Sequence, residues 1–126
     1  MTPLPLSWCY GTPGLVRAQQ LAALALGDRA RQVDLEHVLL RELLAAGPEP
    51  VAGPGLCHGE AGLLRTCERV ADDAIDPQPF RHHIERLRAQ LLTRRDPTPG
   101  LLNGQDGIDL GLSASSLPWD ACLALI

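Results

Sequence analysis

One short pattern occurs three times at nearly constant spacing, and it limits what this chain can fold into more than any other feature. Trp8-Cys9-Tyr10-Gly11-Thr12-Pro13-Gly14-Leu15 aligns with Leu56-Cys57-His58-Gly59-Glu60-Ala61-Gly62-Leu63, and Leu101-Leu102-Asn103-Gly104-Gln105-Asp106-Gly107-Ile108 forms a third copy. Each copy carries Gly-x-x-Gly followed by an aliphatic residue. The leading glycines fall at 11, 59 and 104, a period that matches a paired-helix repeat.

The segments between these loops read as helices. Leu63, Cys67, Val70 and Ala74 are spaced by four, three and four, so they share one helical face. Phe80, Ile84, Leu87 and Leu91 repeat the pattern, with Asp76 as N-cap and Pro77 at the first helical position. Arg81, Arg86, Arg88 and Arg94 then fall on the solvated face. In the first repeat a helix over about 14–26 precedes one over about 35–45, capped by Asp34 with a Val33/Val38 staple. The third repeat predicts a helix from Gly107 to about Ala114 and a partner starting at Pro118, with Ser116 near its cap. Proline and glycine clusters at 47–55 and 96–100 mark loops, and no alternating strand pattern of useful length occurs. The chain is therefore read as all-α: residues 1–126 form one domain of three helical hairpins, with repeats at about 7–50, 54–96 and 98–126.

A chain of 126 residues that is 45% hydrophobic can build one real core, and with aromatics at only 3% that core must be Leu, Ala and Val. The net charge of −4 and a pI near 5.4 argue against nucleic acid or an anionic membrane as partner. No apolar run is long enough to span a bilayer, and MTPLPLSWCYG lacks the layout of a signal peptide, so the expectation is a cytoplasmic protein. Four cysteines, at 9, 57, 67 and 122, are too few and too scattered for a disulfide framework.

Metal binding is the better use for some of them. In a stacked or circular array of hairpins, loops that enter successive inner helices lie side by side, so Cys9 can meet Cys57 and His58. Two thiolates and one imidazole suit one zinc ion and leave a tetrahedral position open, as catalytic rather than structural sites do. The two thiolates cancel the 2+ charge, and loops that precede helix N-termini favour the thiolate form. A lone buried Cys is more often a small hydrophobe than a ligand, and Cys-His dipeptides arise by chance; the shared register of the loops is what favours the metal.

The residues that carry these loops resemble the lanthionine synthetase C-like family, the cyclases that form thioether rings in lanthipeptides. The matching pieces are Ser7 to Gly14, Gly55 to Gly62, Pro99 to Gly107 and Pro118-Trp119-Asp120. The resemblance implies an α/α toroid with zinc at its centre, held by Cys9, Cys57 and His58. It further implies that a peptide cysteine thiol, taken up at the zinc, adds to dehydroalanine or dehydrobutyrine to give lanthionine or methyllanthionine. A complete cyclase resembles about seven such hairpins, so the chain corresponds to three of seven, an incomplete ring matching the C-terminal portion. The family's upstream Ala-His-Gly-like motif and acidic residue are not visible in it. The partners implied are a dehydrated lanthipeptide precursor and a separate N-terminal cyclase portion or a dehydratase. The competing reading is a non-catalytic zinc-binding remnant or a thiol- or peptide-binding module of the same family.

The remaining candidates carry ordinary expectations. Tyr10 and Asn103 sit beside the presumed metal face as possible substrate contacts. His82 is expected in solvent, His83 at the core edge and His37 on the surface, while Cys67 and Cys122 are expected to be packed thiols. Asp106 and Asp109 suit a helix N-terminus. Three hairpins leave apolar flanks on the first and last repeats, and such flanks drive association.

Overall fold

The computed structural model describes residues 5–115 and 117–126, which are helical with no strand among them. Helix α1 spans Thr12–Leu26, α2 Arg29–Ala46, α3 Glu60–Asp73, α4 Gln78–Leu92 and α5 Gln105–Leu112; a 3-10 turn at Trp119–Leu123 follows. The all-α reading therefore holds for the described residues. Helix α1 packs on α2 and α3 on α4, while α3 also lies between α1 and α5. One layer is thus α1-α3-α5, backed by α2 and α4.

Helix α3 is the centre of the core. Leu63, Leu64, Cys67 and Val70 are fully buried and meet Phe80, Leu87 and Leu91 of α4 and Leu39 and Leu43 of α2 in one apolar cluster. The four- and three-residue spacings of α3 and α4 produce these faces as the sequence predicts. Ala74 ends α3 rather than extending its stripe.

Several local expectations are corrected. Helix α2 starts at Arg29, not near Leu35, because Asp28 accepts a hydrogen bond from the Arg31 amide and caps it there; Asp34 lies inside the helix. Gly27 supplies the left-handed residue (φ 67°) that ends α1 and lets α2 start two residues later. Pro77 is itself the N-cap of α4, and Asp76 caps from outside by accepting from the Gln78 amide at 3.1 Å. Helix α5 begins at Gln105 and stops at Leu112, and the segment from Pro118 is a short 3-10 turn closed by Ala124 at φ 54°, not the start of a long helix. Cys122 is consequently exposed rather than packed. Ser116 lies outside the described residues.

The arginines of α4 are also not a uniform solvated face. Arg81 is exposed, but Arg88 pairs with Glu68 of α3 and Arg94 with the buried Glu60 at 2.8 Å, while Arg86 is half-buried with its Nε enclosed. Polar groups reach further into the protein at α1. Arg17, 2% exposed, donates to the Leu125 carbonyl, to Gln20 and to Asp73, each at 2.7 Å. Gln20 and Gln32 donate to Glu36, whose other oxygen accepts from the Ile75 amide. Because each member is partnered, the network ties α1, α2 and the end of α3 together without an orphaned charge.

Candidate metal centre

The three glycine loops sit in register at the N-terminal ends of α1, α3 and α5. The Cys9 amide donates to the Cys57 carbonyl at 3.2 Å, and the Cys57 amide donates to the Leu102 carbonyl at 2.8 Å. Positions 9, 57 and 102 are therefore consecutive rungs of one main-chain ladder, as the sequence alignment pairs them. The glycines make this possible. A Cβ on Gly14, Gly62 or Gly107 would run into the carbonyl oxygen six residues earlier, at Trp8, Leu56 and Leu101 respectively. Each loop thus folds back against its own helix start with no room for a side chain.

On this ladder one ligand atom each of Cys9, Cys57 and His58 lies within 4.8 Å of the other two. Cys9 and His58 are exposed and Cys57 is half-buried, so the cluster is open to a large molecule. Ligand atoms on a tetrahedral zinc are about 3.5 to 3.8 Å apart, given bonds of about 2.3 Å to sulfur and 2.0 Å to nitrogen. The cluster is compatible with that spacing after small side-chain rotations, and two soft sulfurs with an imidazole are a donor set that zinc accepts.

Electrostatics fit a cation. Burial first, then the hydrogen bond and charge of Cys9, push the Cys57 thiol up. The helix N-terminus favours the Cys57 thiolate and these contributions oppose it; a divalent ion at the site would offset them.

Tyr10 is 73% exposed and Asn103 is exposed, both at the position following a rung residue, beside the cluster. The other candidates lie elsewhere. Cys67 is fully buried, and burial followed by the nearby Glu68 charge pushes its thiol up to about 12, as suits a packed and inert group. His83 is buried on α4, and His82 and His37 are exposed on α4 and α2. Asp106 accepts from the Gly100 amide at 2.7 Å and steadies the third loop, while Asp109 accepts from Gln105.

Sequence reasoning did not find the groups that fix the end of the chain beside this centre. Asp120 is fully buried and accepts from Arg65 at 2.7 Å and from Arg69 at 2.6 and 2.8 Å. Burial by itself would raise its pKa, but the two guanidiniums hold the carboxyl down at about 2. Trp8 Nε1 donates to the Leu123 carbonyl at 2.9 Å. These bonds place Leu123, Ala124 and Leu125 along a cleft of about 570 Å³ whose other walls include Cys9, Tyr10, Gly14 and Leu15. The Pro118-Trp119-Asp120 match was the available signal for the Asp120 anchor.

No curated protein and no solved structure matches the chain. One family model does, under the description lanthionine synthetase C-like protein, over residues 2–116.

Proposed function

The chain belongs to the lanthionine synthetase C-like family, and from that premise we propose that it provides the zinc-holding, thiol-activating part of a lanthipeptide cyclase. The observation that carries this reading is the convergence of Cys9, Cys57 and His58 at the mouths of two adjacent helices. The substrate is a dehydrated precursor peptide, and the reaction is Michael-type addition of a peptide cysteine to dehydroalanine or dehydrobutyrine.

Bound zinc would supply Lewis acidity, lowering the pKa of an incoming thiol so that it is a nucleophile near neutral pH. Cys9 and Cys57 as thiolates and His58 as neutral imidazole are the groups that would hold it. Their exposure leaves a side open for the peptide, with Tyr10 and Asn103 flanking the approach. In the overall step the thiol loses its proton, sulfur bonds to the β-carbon of the dehydro residue, and the displaced π pair is protonated at the α-carbon. The proton on carbon requires an acid, which this reading assigns to a separate N-terminal portion completing an α/α toroid of about seven hairpins. The setting is cytoplasmic; no described helix is long and apolar enough to cross a membrane.

The test combines metal content with chemistry. Purified protein is expected to carry one zinc, which Cys9→Ala, Cys57→Ala and His58→Ala each lose. Incubation with dehydrated precursor, with and without the N-terminal portion, is expected to remove alkylatable thiol. Zinc retained by all three variants would overturn the site; zinc bound without thiol loss under either condition would favour a thiol-binding module.

A further inference from the structure

Cys9 and Cys57 are matched to each other as well as to a metal. The Cys9 amide donates to the carbonyl of Cys57 itself at 3.2 Å. With ordinary bond lengths, a hydrogen bond between two residues' own main-chain groups sets their Cα atoms roughly 5 to 6.5 Å apart. That lies inside the range of about 4.4 to 6.8 Å that disulfides span. The two sulfurs are already within 4.8 Å of one another. Both thiols are free, with Cys9 exposed and Cys57 half-buried, so a small oxidant can reach them from the open side of the cluster.

The other two cysteines are placed differently. Cys67 is fully buried in the apolar core, and Cys122 donates its thiol proton to the Trp119 carbonyl at 3.2 Å. Among the described residues no main-chain bond joins either of them to Cys9 or Cys57. A metal and a disulfide also make opposite demands on the ligand pair. A tetrahedral zinc holds two sulfurs about 3.8 Å apart and needs both as thiolates. A disulfide draws the sulfurs into bonding distance and leaves neither as a thiolate donor. His58 is then the one ligand of the three that remains, too few to hold the ion.

We propose that in the metal-free protein Cys9 and Cys57 close to a reversible disulfide under peroxide, which keeps the centre from loading zinc until a thiol reductant reopens it. The inference rests on the zinc-holding reading of Cys9, Cys57 and His58 and adds a redox control to it. The exposed Cys9 sulfur attacks one oxygen of hydrogen peroxide, the O–O bond breaks, and a sulfenic acid and one water result. The Cys57 sulfur then attacks the Cys9 sulfur, the S–O bond breaks, and the hydroxyl leaves as a second water. Two thiols have lost two protons and two electrons, and the peroxide has been reduced to two waters. A dithiol reductant reverses the change and becomes a disulfide itself.

The test treats the full chain with hydrogen peroxide after reduction and removal of metal by a chelator, with circular dichroism as a check on folding. Thiols that can be alkylated after denaturation are expected to fall from the four of the sequence to two. Peptide mapping without reductant should join the Cys9 peptide to the Cys57 peptide. The oxidised protein should take up no zinc, and dithiothreitol should restore both thiols and binding of one zinc. Zinc added before the peroxide should slow thiol loss at least tenfold. Cys9→Ser and Cys57→Ser should form no such link, whereas Cys122→Ser should form it as the native chain does. If the stripped protein unfolds, peroxide and chelator are added together to the zinc-loaded protein, where zinc loss and the Cys9–Cys57 link should rise together. A link to Cys67 or Cys122 instead, oxidation to sulfinic acid with no link, or an oxidised protein that still binds zinc overturns the proposal and leaves the zinc reading standing. A reduced protein that binds no zinc overturns the zinc reading, and the control over loading with it.

Discussion

The Cys9 amide is bonded to the Cys57 carbonyl at 3.2 Å, so the two thiol residues are joined through the main chain as well as by the proximity of their sulfurs. A metal bound by both side chains would therefore brace α1 against α3, and its removal should be felt in stability. At free zinc one hundred times Kd, binding contributes about 2.7 kcal/mol. Thermal unfolding of the native protein is expected to fall by several degrees on adding a chelator, while Cys9→Ala and His58→Ala variants show little response.

Asp120 should behave as an anchor rather than a surface acid. Its carboxylate answers two half-buried guanidiniums, and removing one partner of such a cluster costs about 3 to 5 kcal/mol. Asp120→Ala is expected to lose stability on that scale in urea titrations. Its folded pKa of about 2 lies below the ordinary 3.8. The stability it contributes is thus complete above about pH 4 and lost as pH falls towards 2, a slope that the variant should lack.

Gly62→Ala tests the loop geometry. The added methyl meets the Leu56 carbonyl, which is main chain and cannot swing away. A destabilisation of about 1 to 3 kcal/mol is expected from the forced backbone shift, accompanied by weaker zinc binding because Leu56 adjoins Cys57. Gly53→Ala, where a Cβ meets nothing within 4 Å, is the matched control and should be near neutral.

His83 gives a pH effect from a different part of the fold. Burial, then the charges of Arg86 and His82, lower its pKa from 6.5. The unfolded chain therefore binds this proton more readily, so stability is full above pH 6.5 and declines as pH drops below it. His83→Gln is expected to flatten that part of the pH–stability curve, and NMR titration of the His83 ring should place its midpoint below 6.5.

The loops and the cluster were legible in the sequence because they rest on short-range pattern: the glycines recur at fixed offsets, and Cys9 and Cys57 occupy one repeat position. The faces of α3 and α4 were legible for the same reason, since Leu63, Cys67, Phe80 and Leu87 keep helical spacing. What escaped notice depends on partners remote in sequence. Arg94 lies on the polar side of α4 by periodicity, yet its guanidinium finds Glu60, 34 residues away. Arg17 and Gln20 interrupt the apolar face of α1, and only Asp73, Glu36 and the Leu125 carbonyl explain how they are buried. The start of α2 was missed because its first turn is polar and the apolar period becomes visible only later, leaving Asp34 as the more obvious cap. Cys122 was misplaced because a nine-residue tail can satisfy a helical spacing without being an α-helix.

Leu102 stands on the same main-chain rung system as Cys9 and Cys57, and Asn103 stands where His58 does. The backbone thus offers three interchangeable addresses for a donor side chain, of which two carry the candidate ligands. Leu102→Cys with Asn103→His would write the same ligand alphabet at the third address, beside Cys57. Where a metal would sit on this protein is then a matter of spelling at fixed positions, and the candidate site could be moved by one repeat without redrawing the fold.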